Sequence, residues 1–573
     1  MYANDPFSMT TAPSFSSPVT WSNALNEADF WSSLAQTLFS PYVNTCRWFA
    51  GKARPQINFA VQTVHALPLA DGDVAYLLIL EATYASGLPE SYLLPLSFIT
   101  DRASLTLPFR LADVPAKGRI GDVTLGGRVG TLIDAIYDER FRQALLAGIQ
   151  QNQTVVQTNG QFLFHRGKGM DQDDGDLDSH VLSVDSSNSA MTFGGKYFLK
   201  LYRKLFRETN PEVDMVQFLT DESTFSNIPA FGGSIVWQRD ATEASGPSAR
   251  NRTDVTLGMM QRMVPNDTNS WVQTGDYLND FLYAVPQRIF SVREDVFEQV
   301  ELLAKRTGEM HCALYKPTGS PAFAPEPFTE EYRDFLIRRF EDLLERRYAL
   351  LIDNYAKLDP QAQRLAWVFM EAKEMIETFI ADFRTRPLGS LRIRIHGDYH
   401  LGQVLAVTGD DGKNDFTVID FEGEPESSIS ERKIKHSPLK DVAGMIRSYH
   451  YAVSSKLFNS VETESLDPDY LQRVSDRWFN IIRDTFLNAY FEVFGAPHPL
   501  FKNNNETNFL LLIYLLEKAV YELGYEINYR PSWVKIPLKG IIDVVREIEK
   551  IRLSNGDDTP DVPMLQTGLL QGK

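Results

Sequence analysis

Hydrophobic spacing changes character once along this chain, near Trp271, and that change constrains the fold more than any other feature. Upstream, the chain carries short β-rich apolar runs divided by turn residues, the mark of strands. NFAVQTVHALPL, VAYLLILEATYA and ESYLLPLSFI lie between Ile57 and Phe98, with Asp71-Gly72 as a turn. Further strands are predicted at 118–129, 154–165, 181–184, 190–193, 197–202, 233–238 and 253–263, with helices at 28–38 and 211–221. Downstream, apolar residues recur every three or four positions in segments 293–315, 327–356, 360–386, 438–459, 467–494, 506–528 and 537–553. One β-like island, 391–419, interrupts them. The pattern predicts an α+β fold in three parts: a mixed α/β cap over 1–115, a β-rich lobe over 116–265 and a mainly helical lobe over 266–573. A cleft is expected between the last two.

Charge and cysteine content narrow the function classes. The 573 residues carry a formal net charge of −18, which disfavours a nucleic-acid or anionic-membrane binder. Two cysteines, Cys46 and Cys312, cannot build a disulfide framework or a thiolate zinc cluster. The N-terminus lacks a basic segment followed by an apolar stretch, and the longest apolar run, Phe509 to Leu516, is far short of the roughly 18 residues that span a bilayer. The cytoplasm is the expected location. The acidic stretch Met170–Asp178 looks like a calcium loop but lacks glycine at the sixth position from Asp171 and glutamate at the twelfth, so it reads as a solvated loop.

The chemistry concentrates in the island. RIHGDYHLGQVL (394–405) is followed, after a polar turn, by FTVIDFEG (416–423). Two apolar strands flanking that turn predict a hairpin, with Asp398 presented before the first strand and Asp420 at the end of the second. Phosphoryl transfer needs one carboxylate to orient the attacking hydroxyl and accept its proton, and a second to hold Mg²⁺. A neutral oxygen donor five residues after the first completes the metal shell, and Asp398, Gln403 and Asp420 have this order and spacing. The same residues contain a competing pattern: His396, Asp398 and His400 form an H-x-D-x-H cluster that could hold zinc in a metallohydrolase.

HGDYHLGQVL with VIDFEGEP resembles the catalytic and metal-binding loops of protein-kinase-like phosphotransferases, the superfamily of aminoglycoside and choline kinases. With SPLKDVAGMIRSYHYA, RWFAGKAR at Arg47–Arg54 and LEKAVYELGYEINYRPSWVKIPL at Leu516–Leu538, the chain resembles the bacterial maltokinase family over about residues 40 to 555. The resemblance implies a bilobal protein-kinase-like fold and a kinase that uses ATP and Mg²⁺ to make maltose 1-phosphate. It puts Asp398 at the catalytic base, Gln403 and Asp420 at the metal, His396 at the catalytic-loop histidine and Asp441 at a buried aspartate that bonds that loop's backbone. It also implies a functional link to trehalose synthase, to which some relatives are fused.

The nucleotide residues follow from the same likeness. Ser187, Asn188 and Ser189 fall in the phosphate-covering turn and Lys200 on the strand that faces the phosphates, across the cleft from Asp398 and Asp420. Asp214 falls where relatives carry the glutamate that positions the lysine, with Glu212 as the local alternative, and Gln261 and Met263 fall in the connector that meets adenine. Lys518, Tyr521 and Tyr525 lie at i, i+3 and i+7 on one helical face. By itself that stripe reads as core as readily as a sugar contact; the resemblance makes it the sugar side, with Arg530 close by. Glucosamine is the alternative acceptor. The basic run Arg432-Lys433-Ile434-Lys435-His436 reads as a solvated loop, and Glu424 and Glu426 as structural. Residues 1–115 are expected to brace the β-rich lobe or to limit how far the lobes close.

Overall fold

The computed structural model describes residues 14–554 apart from 101–110, 158–159, 173–174, 176, 183–186, 240–252, 267, 410–411, 426 and 496, so Ser186, Glu426 and part of the acidic stretch lie outside the described residues. The chain forms two compact units. The first comprises 1–221 and 229–263, and the second 222–228 and 264–573.

The first unit holds two seven-stranded sheets. In the first sheet the order is Ser14–Ser17, Arg119–Leu125, Arg128–Asp134, Glu90–Thr100, Val74–Tyr84 and Gln56–Pro68, with Lys204–Leu205 paired to Glu90–Thr100. The strands between 119 and 134 therefore continue the sheet past the boundary expected at 115. The sheet is covered on both faces, and its alternation sorts the side chains: Leu78, Leu80, Leu94 and Leu96 pack with Trp31, Leu34, Phe39 and Val43 from the helical stretch before it. Leu77, Ile79 and Leu93 point the other way, to Phe141 and Leu145 of the Glu139–Gln150 helix and to Phe162, Leu199 and Trp237. That helix was not expected from the sequence, because its apolar positions are interleaved with Arg140, Arg142 and Gln143.

The second sheet runs Thr154–Gln157, Gly160–Arg166, Phe231–Arg239, Thr253–Arg262, Tyr197–Leu201, Ser189–Phe193 and Ser179–Leu182. The turn between Ser189–Phe193 and Tyr197–Leu201 needs positive φ at Gly194 (56°) and Gly195 (64°), which glycine supplies without steric cost. Arg203, with no exposed surface, ties the two sheets together. It donates to Asp134 Oδ2 (2.6 Å), Ser189 Oγ (2.8 Å) and Leu93 O (3.3 Å), and its guanidinium lies 5.1 Å from the Trp48 ring.

The second unit is mainly helical. Glu294–Leu314 packs on Pro468–Glu492, and Asn504–Tyr529 packs on Glu330–Asn354, Leu439–Asn459 and Lys535–Ser554. The segment expected as one helix over 360–386 is two, Pro360–Glu371 and Lys373–Thr385. Within this unit the expected hairpin forms, Val404–Thr408 antiparallel to Asn414–Val418, with Thr268–Asn269 as a third strand. Among the described residues no helix is long and apolar enough to cross a membrane.

Removing the Arg203 guanidinium leaves the Asp134 carboxylate buried without its cation. Arg203→Met is expected to lower stability by about 3–5 kcal/mol, measured as a shift of the urea unfolding midpoint.

Candidate active site

One helix organises the loop that carries Asp398. Asp441, buried in the first turn of Leu439–Asn459, accepts the backbone N–H of His396 at Oδ2 (2.8 Å) and that of Gly397 at Oδ1 (2.9 Å). His311 Nε2 lies 3.2 Å from Oδ2 on the other side. Burial raises the Asp441 pKa, but the His311 hydrogen bond, the nearby histidines and the Gly397 N–H outweigh it and hold the carboxyl below the usual carboxylate range. The helix approaches so closely that a Cβ on Gly444 would sit 2.5 Å from the Tyr399 carbonyl oxygen.

His396 joins this loop to the second strand. Its Nδ1 accepts the Asp398 N–H (3.4 Å), which leaves Nε2 to donate to the Ile419 carbonyl at 2.9 Å. Asp420 follows with φ +66°, a left-handed conformation rare for a non-glycine residue. Strain of this kind costs on the order of 1–3 kcal/mol and clusters at functional sites. Gly397 (φ +88°) and Gly423 (φ +75°) let the two loops meet backbone to backbone, since a Cβ on Gly397 would lie 3.1 Å from Gly423 Cα. Gln403, in a short turn before the hairpin, donates from Nε2 to Asp420 Oδ2 at 2.9 Å. Carboxylate oxygens of Asp420 and Glu422 come within 4.8 Å of each other.

These contacts remove the zinc alternative. Both ring nitrogens of His396 are engaged by backbone groups, and His400 accepts the Gly402 N–H at Nδ1 (3.0 Å). Two histidines and Asp398 therefore do not converge on one metal. Burial keeps the His400 imidazole below its ordinary pKa, only partly offset by Asp398.

Asp398 faces a lysine. Lys518 Nζ donates to Oδ1 at 3.2 Å, and His400 Nε2 stands 4.0 Å from Oδ2. Burial pulls the Lys518 pKa down, but Asp398, Glu424 and Glu522 outweigh it and hold the lysine above its ordinary value. Lys518 and Tyr521 line a cavity of 450 Å³. Its far wall is the Glu330–Asn354 helix, which contributes Arg338, Arg339, Asp342, Arg346 and Arg347. Arg339 bonds Glu424 and lies 3.7 Å from Glu517; Lys440 lies 3.4 Å from Glu424 and 3.6 Å from Glu517. Burial raises the Glu424 pKa, but Lys440, Arg339 and Lys518 hold it well below the usual carboxylate range.

The cavity corrects several sequence expectations. Tyr525 and Arg530 do not line it: the stripe keeps its face, but Tyr525 is one turn too far along the helix and 46% exposed. Glu424 faces the cavity rather than serving as an incidental support beside Pro425. The basic run 432–436 is engaged rather than solvated. Lys435 donates to Glu326 Oε1 (2.7 Å), His436 Nδ1 meets the Tyr332 hydroxyl (2.8 Å) and Arg432 donates to the Ser427 carbonyl (2.9 Å). The helix arginines were missed, although Arg339, Asp342, Leu343 and Arg346 at i, i+3, i+4 and i+7 share one face.

In the first unit, Lys200 sits mid-sheet, opposite Ala190 and Met259, with 12% of its side chain exposed. Its carboxylate partner is Glu212, 3.0 Å away, in the place expected for Asp214. The helix start explains the exchange: Asn210 Oδ1 accepts the Glu212 N–H (2.9 Å), and the longer side chain is buried under the sheet where it also accepts the Tyr202 hydroxyl (2.7 Å). Ser187 and Asn188 precede the strand, but Ser189 is its first residue, buried and bonded to Arg203. Gln261 is paired within the sheet, and the Met263 N–H is committed to the Lys196 carbonyl (2.7 Å), so that donor is not available to an adenine ring.

Residues 42–138 match the family model described as the maltokinase N-terminal cap domain. The first unit carries that cap domain. Within the cap, Trp48 packs 6.0 Å from Tyr92, and Arg54 pairs with Glu90 (2.9 Å) while lying 3.6 Å over the Tyr84 ring. A glucosamine kinase from Streptacidiphilus jiangxiensis is 26% identical over 247 residues, 43% of this chain. The chain spans about half (49%) of that relative's length. A structure described as glucosamine kinase in complex with glucosamine, ADP and inorganic phosphate superposes with TM-score 0.59 at 17% identity, covering 88% of this chain and 99% of that one. Crystal form B of glucosamine kinase gives 0.61 at 17%, covering 90% and 99%. The chain is an α+β protein that joins the maltokinase cap to this kinase-like fold.

Asp441→Asn replaces one acceptor oxygen with a donor that faces a backbone N–H. The expected loss at neutral pH is about 2–3 kcal/mol. Because the Asp441 pKa is depressed in the folded state, its contribution is present above the ordinary carboxylate value and fades as pH falls through the folded one. Urea midpoints taken between about pH 5 and about pH 3 should therefore fall less steeply in the variant than in the wild type.

Proposed function

We propose that this chain transfers the γ-phosphoryl group of ATP to a sugar, with maltose as acceptor and maltose 1-phosphate and ADP as products. The observation that carries the acceptor is the charge pairing beside Asp398. Glu424 and Glu517 already face Arg339 and Lys440, Asp398 already faces Lys518, and arginine and lysine outnumber acids around the cavity. A neutral disaccharide suits these walls: Tyr514 and Tyr521 offer ring faces and hydroxyls, and the cations offer hydrogen-bond donors. An ammonium sugar such as glucosamine, named for the relatives above, would add a further positive charge to walls where arginine and lysine already outnumber the acids. The maltokinase cap domain supports the same choice.

In this reading Asp398 is the base that orients the anomeric hydroxyl and takes its proton as the oxygen attacks phosphorus and the β–γ bridge bond to ADP breaks. Lys518 holds the Asp398 carboxylate in place. His396 and Asp441 are positioning residues, because they act through the loop backbone. Lys200, braced by Glu212, is assigned to the nucleotide phosphates, and Ser187 and Asn188 to their cover. A magnesium ion fits the second loop by its donors, all hard oxygens: Asp420, the Glu422 carboxylate beside it, and Gln403, whose amide oxygen turns inward when the amide flips. Bound there, Mg²⁺ would neutralise phosphate charge. Most of the rate would come from positioning and electrostatics rather than covalent catalysis.

A sugar panel with ATP and Mg²⁺, read by ADP release, tests this. Maltose should exceed glucosamine by at least about tenfold in kcat/KM, the discrimination of about 1.4 kcal/mol that one unmatched charge readily supplies. Asp398→Ala should lower maltose turnover about 10²- to 10⁴-fold with the unfolding transition retained. Equal use of both sugars would overturn the acceptor, and near-normal turnover in the variant would overturn the base.

A further inference from the structure

A second cavity lies in the helical unit, and it shares no lining residue with the cavity beside Asp398. It measures 260 Å³ and lies among the helices Leu439–Asn459, Pro468–Glu492, Asn504–Tyr529 and Lys535–Ser554. Ile446, Phe479, Leu512, Leu515 and Val544 contribute apolar surface. Arg447, Arg483, Lys539, Arg546 and Lys550 bring five cations, against the three acids Asp476, Asp543 and Glu547. Lys539 serves two of those acids, donating to Asp543 Oδ2 (2.6 Å) and lying 3.2 Å from Asp476 Oδ1, and Lys550 donates to Glu547 Oε1 (2.6 Å). Arg447 and Arg483 pair instead with Glu522 (2.6 Å) and Asp484 (2.7 Å), neither of which lines the cavity. The walls therefore carry a surplus of positive charge, which favours an anion.

His450 distinguishes this cavity from a packing gap. It lines the cavity with 2% of its surface exposed, and its ring meets Phe479 edge to face at 5.0 Å. Its Nδ1 lies 3.0 Å from a guanidinium nitrogen of Arg447, and a guanidinium only donates. Nδ1 is therefore the acceptor, and the proton of the neutral ring sits on Nε2. Burial, reinforced by Arg447 and Lys539, holds the imidazole well below its ordinary pKa, so the ring is neutral. Among the described residues Nε2 has no hydrogen-bond partner, and a buried donor without an acceptor is costly. Arg447 is set in place by the fold: a Cβ on Gly540 would lie 2.0 Å from its Nη1. A single water, about 30 Å³ in the liquid, would fill little of the space, and the apolar residues give further waters few partners.

We propose that this cavity is a second ligand site, for a small organic acid whose apolar body packs on Phe479, Leu512 and Leu515 and whose single carboxylate accepts the His450 Nε2 hydrogen bond and faces Arg447 and Arg483. The volume falls just under the roughly 300–1,000 Å³ of pockets for drug-sized ligands, so the occupant is small. A phosphate monoester fits less well, because its charge of about −1.5 to −2 would also face Asp476, Asp543 and Glu547. The site stands apart from the phosphotransfer reading and does not depend on it.

Calorimetric titration of the full chain with phenylacetate tests it. The Kd should be tighter than about 10 mM, which about ten non-hydrogen atoms reach at the low end of ligand efficiency. 2-Phenylethanol keeps the body and loses the charge, acetate keeps the charge and loses the body, and each should bind more weakly than phenylacetate. His450→Phe keeps a ring and removes the N–H, and should weaken phenylacetate binding about tenfold. Arg483→Gln, at a side chain 11% exposed, is the second probe should His450→Phe unfold, with the same loss expected. Tyr521→Ala alters the other cavity and should leave the phenylacetate Kd unchanged. A Kd weaker than about 10 mM, 2-phenylethanol or acetate bound as tightly as phenylacetate, or a Kd that Tyr521→Ala moves and the probes in this cavity do not, overturns the site.

Discussion

A single buried carboxylate holds the candidate active site of the second unit in shape. Asp441 accepts two consecutive backbone N–H groups from the loop that presents Asp398. Hydrogen bonds to a charged acceptor contribute about 1.5–3 kcal/mol each, and these two act on neighbouring peptides, so they fix the loop's direction as well as its place. The fastening passes onward. His396, with its backbone held by Asp441, uses both ring nitrogens to tie the Asp398 N–H to the Ile419 carbonyl. Asp420, the next residue, is thereby kept in a left-handed conformation that an aspartate would not choose in isolation. The glycine at 397 is a steric condition for this arrangement, because a Cβ there would lie 3.1 Å from Gly423 Cα, while a Cβ on Gly423 would press on the Arg432 side chain at 3.2 Å.

The cavity beside Asp398 is built on an opposite principle, compensation rather than anchoring. Burying Glu424, Glu517 and Lys440 singly would be costly, and their pairing with one another and with Arg339 makes it tolerable. The resulting walls are polar, with these four charges paired among themselves. Under the proposed function, such walls would favour a ligand that exchanges hydrogen bonds over one that imports charge.

The strands between Ile57 and Phe98 were legible as short apolar runs bounded by turn residues, and the helices after Trp271 because a helix covered on one stripe must declare its period. The hairpin around 404–418 was legible because its apolar runs are bounded by turn residues. Asp398, Lys518 and Tyr521 came together as the motif and the stripe implied. What sequence missed depends on contacts remote in the chain. The roles of Arg339 and Glu424 turn on which helix faces which, whereas Glu212, already the alternative to Asp214, is singled out by the local cap made by Asn210. Lys435 and His436 looked solvated because nothing nearby in sequence announces Glu326 or Tyr332 as partners.

The account stands or falls on where the phosphoryl group goes. Incubating the chain with ATP, Mg²⁺ and maltose and following the products by phosphorus and proton nuclear magnetic resonance tests that directly. The predicted result is a phosphate resonance coupled to the anomeric proton of the reducing-end glucose, formed in step with ADP. Phosphate on another hydroxyl, or ADP released with inorganic phosphate and no sugar phosphate, would contradict it.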